Sequence, residues 1–226
     1  MLLNLLLQVT ETDTTAIAAP VEINYFSLLL KGGIVVYPIL FLLLVTIYLG
    51  FERYFFIKSA SQMDTGFIRS LKDNLVRGDV RAAASLARGT NKPISRILEK
   101  GINRVGKPVK DIESAIEIQS NLEVSKMEKN MGYLGLIAGV APTLGFVGTI
   151  SGIIRIFYEI STTGNFTIET ISNGLYEKMI ASFSGLVVGL IAYSLYHGIN
   201  MMIDKFSIHL QSTVMDFFDT LNEPTR

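Results

Sequence analysis

The sequence predicts an all-α membrane protein: three transmembrane helices, a helical cytoplasmic domain, and long helices extending from the membrane into the cytoplasm. Three observations predict it. Three runs of about 20 residues or more are almost free of charge, the length that crosses a hydrocarbon core. Between the first two lies a polar stretch in which apolar residues recur at helical spacing. Basic residues crowd into that stretch and are nearly missing from the other connections, the bias that orients membrane proteins. With 49% hydrophobic residues and a mean hydropathy of +0.41, the 226-residue chain is too apolar for an ordinary soluble domain.

Composition also excludes. Acidic and basic residues balance at 20 each, so net charge points to no nucleic-acid partner. The absence of cysteine removes disulfides, zinc thiolates, iron–sulfur clusters and thiol nucleophiles. Two histidines, His197 and His209, leave little for a metal site, and no cofactor is implied.

Residues 1–33 read as an N-terminal arm. The apolar run over residues 1–7 is short for a signal peptide and lacks a basic flank. A short amphipathic segment around residues 25–30 suits the membrane surface. The first span covers residues 34–56, with Pro38 near its start, where a missing donor costs least. Glu52 and Arg53 end its uncharged run, and Tyr54, Phe55 and Phe56 supply an aromatic interface.

Residues 57–130 hold most of the lysines and arginines. Arg53, Lys58, Lys126 and Lys129 lie close to the membrane ends, which places this domain in the cytoplasm and the N-terminus outside. The domain reads as helical pieces punctuated at Gly78-Asp79, Gly89 to Pro93 and Gly106 to Pro108. Asp79 is placed to cap one helix and Pro93 to open the next. After Pro108 an apolar face carries Ile112, Ala115, Ile116, Gln119 and Leu122. No breaker follows, so a single helix is expected to continue into the membrane.

The second span covers residues 131–158. Gly135, Gly139, Pro142, Gly145, Thr149 and Gly152 follow at spacings of three or four, along one helical face. Such a face lets another helix approach closely in lipid. A polar outer loop over residues 159–174 carries no lysine or arginine. The third span, 175–203, repeats the pattern with Ser182, Gly185, Gly189, Ala192 and Tyr196. Asp204 and Lys205 mark its exit, and residues 204–226 form an amphipathic C-terminal helix. The two small-residue stripes could face each other, a third chain, or a narrow aqueous path.

Ionisable groups at membrane depth are functional candidates. Glu177 and Lys178 stand at the mouth of the third span and Arg155 near the outer end of the second; interfacial snorkelling or mutual pairing is the bland alternative. Thr149 and Ser182 put hydroxyls into glycine-rich faces, where each either back-bonds to its own helix or lines a polar path. Enzyme readings fail. Gly145-x-x-Gly148-Thr149 lacks the lysine of a phosphate-binding loop. Ser184 and His197 lie three to four turns apart on one helix, too far for a nucleophile and its base.

In the second span, Ala141-Pro142, Gly145 and Gly148-Thr149, and in the third, Gly174, Glu177, Ser182 and Gly185-Leu186, form a joint motif. With three spans and a basic cytoplasmic loop, the chain resembles the ExbB/TolQ/MotA family of proton-channel subunits, on the ExbB/TolQ side. That resemblance implies a multi-pass protein of the bacterial inner membrane, with its N-terminus periplasmic and its C-terminus cytoplasmic. It implies a homopentameric ring around an ExbD- or TolR-like dimer of single-span chains, passing force to a TonB- or TolA-like protein. By the same resemblance Thr149 and Ser182 line the ring, Glu177 sits at its outer mouth, and Gly135, Gly139, Pro142, Gly145, Gly148, Gly152, Gly185 and Gly189 supply packing and inner-helix contact. Two positions depart from the family pattern. Ser182 stands where many relatives carry Thr, and Lys178 where they carry an apolar residue. Adjacent helix positions diverge by about 100°, so Lys178 is expected to bridge to Glu177 or Glu169 of a neighbouring subunit rather than to its own Glu177; Arg155 is a second candidate for such a bridge. A structural scaffold without conduction is the alternative reading. A solute transporter fits less well, because no repeated half is visible.

Overall fold

The computed structural model describes residues 32–62, 65–164 and 167–222. Residues 1–31, with most of the N-terminal arm, lie outside it. Among the described residues seven helices follow in order: α1 Val36–Ala60, α2 Thr65–Val76, α3 Val80–Gly89, α4 Pro93–Ile102, α5 Val109–Glu128, α6 Met131–Thr163 and α7 Ile168–Asn222. No strand occurs among the described residues. Three stretches, within α1, α6 and α7, are long and apolar enough to cross a membrane.

Those spans alternate in direction. Val35 at the start of α1 meets Gly148 of α6, while Arg53 further along reaches the carbonyl of Lys126 just before α6. Gly33 and Gly50 approach Glu177 and Leu195 of α7 in the same order, so α1 and α7 run parallel and α6 runs against both. The helical domain, α2 to α5, gathers at one end of this bundle around the last turns of α7. Its core of Leu71, Ile97, Leu98, Ile102, Ile116, Phe206 and Phe217 is continuous with Ile57 of α1. The core inside the spans is much smaller: Ile39, Ile137, Ala141, Val188 and Ala192.

Local chemistry sets the short helices. The Asp79 carboxylate accepts from the Ala82 backbone N–H at 2.9 Å, satisfying a donor that the first turn of α3 leaves open. Pro93 opens α4, where its missing N–H costs nothing.

Two expectations are corrected. α5 and α6 are not one helix, because Lys129 (φ −51°, ψ 134°) and Asn130 (φ 67°, ψ −3°) form a turn between them. Those angles are those of a type II turn, whose third position needs a left-handed residue, and Asn tolerates that conformation. α7 passes through Asp204-Lys205 without a break, a long helix running on past the span as the fold class predicts. Finally, Leu122 is exposed, and Glu123 occupies the buried face of α5 instead.

Candidate functional site

The two small-residue stripes meet each other. A Cβ on Gly185 would stand 2.4 Å from the Ala141 carbonyl oxygen and 3.1 Å from Gly145 Cα. On Gly145 it would lie 3.0 Å from Ser182 Cα, and on Gly189 2.4 Å from the Pro142 ring. The backbones of α6 and α7 therefore touch, in antiparallel register, because these positions carry no side chain. Pro142 has no N–H for the Ala138 carbonyl. That oxygen faces Gly189 instead, 3.0 Å from where its Cβ would be, an arrangement suited to a weak Cα–H···O contact.

This corrects the expectation that the glycines present a wall to an inner helix. Pro142, Gly145, Gly185 and Gly189 are consumed within the chain. Gly148 receives the Val35 side chain, Gly152 the aliphatic stem of Lys178, and Gly135 the ring of Tyr196 at 3.5 Å. Of these seven glycines only Gly139 faces open space.

The hydroxyls sit on the same seam, one turn apart. Thr149 Oγ1 lies 3.0 Å from the Lys178 carbonyl on α7 and 3.3 Å from the Gly145 carbonyl on its own helix. One proton serves the shorter bond better, and both oxygen lone pairs stay available as acceptors. Ser182 lies one helical turn past Lys178. It is half-buried, and its hydroxyl has no hydrogen-bond partner among the described residues. Thus Thr149 bridges two helices, whereas Ser182 does not back-bond at all. Ser184 is the one that does, donating to the Ile180 carbonyl at 2.8 Å.

At the outer end of the seam, Lys178 Nζ and Glu177 Oε1 are 2.7 Å apart within one chain. The expectation that neighbours on a helix cannot pair is wrong here. Four methylenes let the lysine stem fold across Gly152, whose Cβ would stand 2.1 Å from Lys178 Cγ, and the ammonium returns to its neighbour. The Glu177 carboxylate also overlies Gly33, which has a φ of +76°. Arg155 binds Glu159 one turn along α6, at 3.1 Å, and both are exposed. Neither cation is therefore without an acidic partner in its own chain.

Sequence reasoning missed a second charged cluster, at the junction with the helical domain. Glu123 is 2% exposed and accepts from Arg96 Nε and Nη2 at 3.0 and 2.6 Å, from Lys126 Nζ at 2.9 Å and from Gln119 Nε2 at 2.9 Å. Burial alone would raise its carboxyl. The hydrogen bonds from Arg96 and Lys126 outweigh that and hold it below the ordinary glutamate range. Arg96 is raised in turn, chiefly by the same hydrogen bond. Arg53, 6% exposed, donates to the Lys126 carbonyl at 3.2 Å, pairs with Glu52 and lies 5.1 Å over the Phe56 ring. The last turn of α5 is thereby tied to α1. A signal existed: Glu123 falls four residues after Gln119 and seven after Ile116, on the apolar face.

The α6–α7 seam and the Glu123 contacts both fall within a longer match. The model of the MotA/TolQ/ExbB proton channel family matches residues 89–212, more than half of the chain. The chain belongs to that family. It is similar to an ExbB-like biopolymer transport protein of Synechocystis sp., 26% identical over 84% of this chain and 72% of the relative. To the Tol-Pal system protein TolQ of Haemophilus influenzae it is 23% identical over 58% of each chain. A biopolymer transport protein ExbB of Helicobacter pylori is 37% identical over 36% of this chain and 59% of its own length. Against the last two the chain spans less than two thirds of the relative. Family and spans together make this a membrane protein associated with proton-channel motors.

Proposed function

We propose that the chain is the ring-forming subunit of a proton-driven motor in the bacterial inner membrane, ExbB/TolQ-like in its work. The helical domain lies in the cytoplasm and the short connection between α6 and α7 in the periplasm, in keeping with the basic residues of residues 57–130. Five copies surround a dimer of ExbD/TolR-like single-span chains, which passes force to a TonB- or TolA-like protein.

One observation carries this reading: two hydroxyls with acceptor capacity on one seam, within the part of the chain that the family match covers. Thr149 donates to a fixed carbonyl and so presents its lone pairs in one orientation. Ser182, one turn away, is free to donate or accept. Together they offer hydrogen-bonding sites beside a partner carboxyl as it takes up and releases a proton. Glu177, held by Lys178, sits at the outer mouth. Only 28–33% of the spanning stretches is buried within a single chain, which leaves ample apolar surface for ring neighbours as well as lipid.

The test is proton flux in vesicles holding this chain with its partner, followed by a pH-sensitive dye. Thr149→Val keeps the shape and removes the hydroxyl; Ser182→Ala does the same on α7. Both rings should assemble and conduct at least tenfold less, about 1.4 kcal/mol in a barrier. The scaffold reading has its own support, since the glycine stripes and the Thr149 proton are already used inside the chain. Undiminished flux in both variants decides for the scaffold.

A further inference from the structure

Gly198 differs from the glycines that bring α6 and α7 together. It lies inside α7, where glycine costs roughly 0.5–1 kcal/mol relative to alanine, yet a side chain added there meets nothing within 4 Å. Most seam glycines meet a neighbouring helix; Gly198, like Gly132 and Gly139 of α6, meets none, and it lines a cleft. That cleft, about 770 Å³, runs between α1 and α7 and is walled almost wholly by apolar groups, among them Phe51, Tyr54, Leu190 and Met202. It continues at Met202 into a second hollow of about 350 Å³ that includes Ser61, Lys205 and His209.

Its length and its ends identify an occupant. From Leu190 to Met202 the helix rises about 18 Å at ~1.5 Å per residue, the depth of one leaflet of a ~30 Å core. Lys205 follows Met202 by three residues and His209 by one more turn, which places both at headgroup level. On α1, Lys58 stands three residues before Ser61, its ammonium 5.6 Å over the ring of Tyr54, which lines the cleft. Neither Lys58 nor Lys205 makes an ion pair among the described residues. The Ser61 hydroxyl at the same end is buried without a partner.

We infer that the α1–α7 cleft is a binding site for an anionic phospholipid of the leaflet on the helical-domain side. One acyl chain lies over Gly198, and the phosphate sits between Lys205, Lys58 and His209. The assignment does not depend on ion conduction. It gives Gly198 a neighbour where the chain itself brings none.

The full-length chain, reconstituted with equal amounts of phosphatidylglycerol and phosphatidylcholine and then extracted in detergent, is assayed for retained lipid by mass spectrometry. The parent should retain phosphatidylglycerol in excess. Gly198→Leu fills the cleft and should lower retention of both lipids. Lys205→Gln, at an exposed position, should leave total retention unchanged and reduce the preference about fivefold, as expected for one cation near a membrane surface. Because the chain has no cysteine, Gly198→Cys is a clean cross-linking probe. A disulfide between copies at that site, or a lipid profile unchanged in both Gly198→Leu and Lys205→Gln, overturns the assignment.

Discussion

The helical domain and the membrane seam are stable for opposite reasons. In the domain, large side chains fill space: Ile97, Leu98 and Ile102 are 0–1% exposed and interlock with residues of α5 and α7. In the seam, side chains are missing, and the gain is close contact of two backbones in a solvent where apolar burial gives little advantage. Water drives the first arrangement, because each buried aliphatic side chain leaves it. Lipid is already apolar, so the second depends on fit. Mutations should therefore act with opposite signs in the two regions: making a residue smaller harms the domain, and making one larger harms the seam.

The largest effect is expected from Ile97→Ala, which opens a cavity in a fully buried site and should cost about 2–5 kcal/mol. Hydrogen exchange should show lost protection across α4 and α5 while α6 and α7 keep theirs. Gly185→Ala comes next, about 1–3 kcal/mol, since its Cβ meets a backbone carbonyl at 2.4 Å and neither helix can yield locally. The loss of protection should then fall on α6 and α7. Gly139→Ala is its control. Open space there should make the same change neutral or stabilising by up to about 1 kcal/mol, and destabilisation would mean that a neighbouring chain covers this face.

The smallest effect tests the junction. The Glu123 carboxyl is lower in the folded chain than in the unfolded one, so its contribution is complete above the unfolded value and disappears as pH falls through the folded one. Protection of α4 and α5 should be level near neutrality and decline below about pH 4, the ordinary glutamate value. Glu123→Gln should flatten that decline and lower the protection seen at neutral pH. An identical acid profile in the variant would assign the decline to other carboxylates.

The resemblance and the helical spans were legible because lipid imposes a strong rule: a crossing segment must be long, apolar and internally hydrogen-bonded. Asp79 and Pro93 were legible because capping is a local affair between residues three apart. Asn130 was not. Asparagine is common inside helices, and only the angles at Lys129 and Asn130 mark a turn. Glu123 was missed because a carboxylate on an apolar stripe is read as surface until Arg96, 27 residues earlier, is seen to reach it.

The sequence by itself determined the class of protein, the number of crossings and the stripes of small residues, since each depends on composition and period along one chain. Only the tertiary structure decided what those stripes touch. Glycine at a spacing of four states that something comes close, and says nothing of which helix it is. Here Gly145, Gly185 and Gly189 are spent on a partner within the chain, while Gly198 is left facing the cleft. That difference arises from how α1, α6 and α7 are placed in space, which no periodicity encodes.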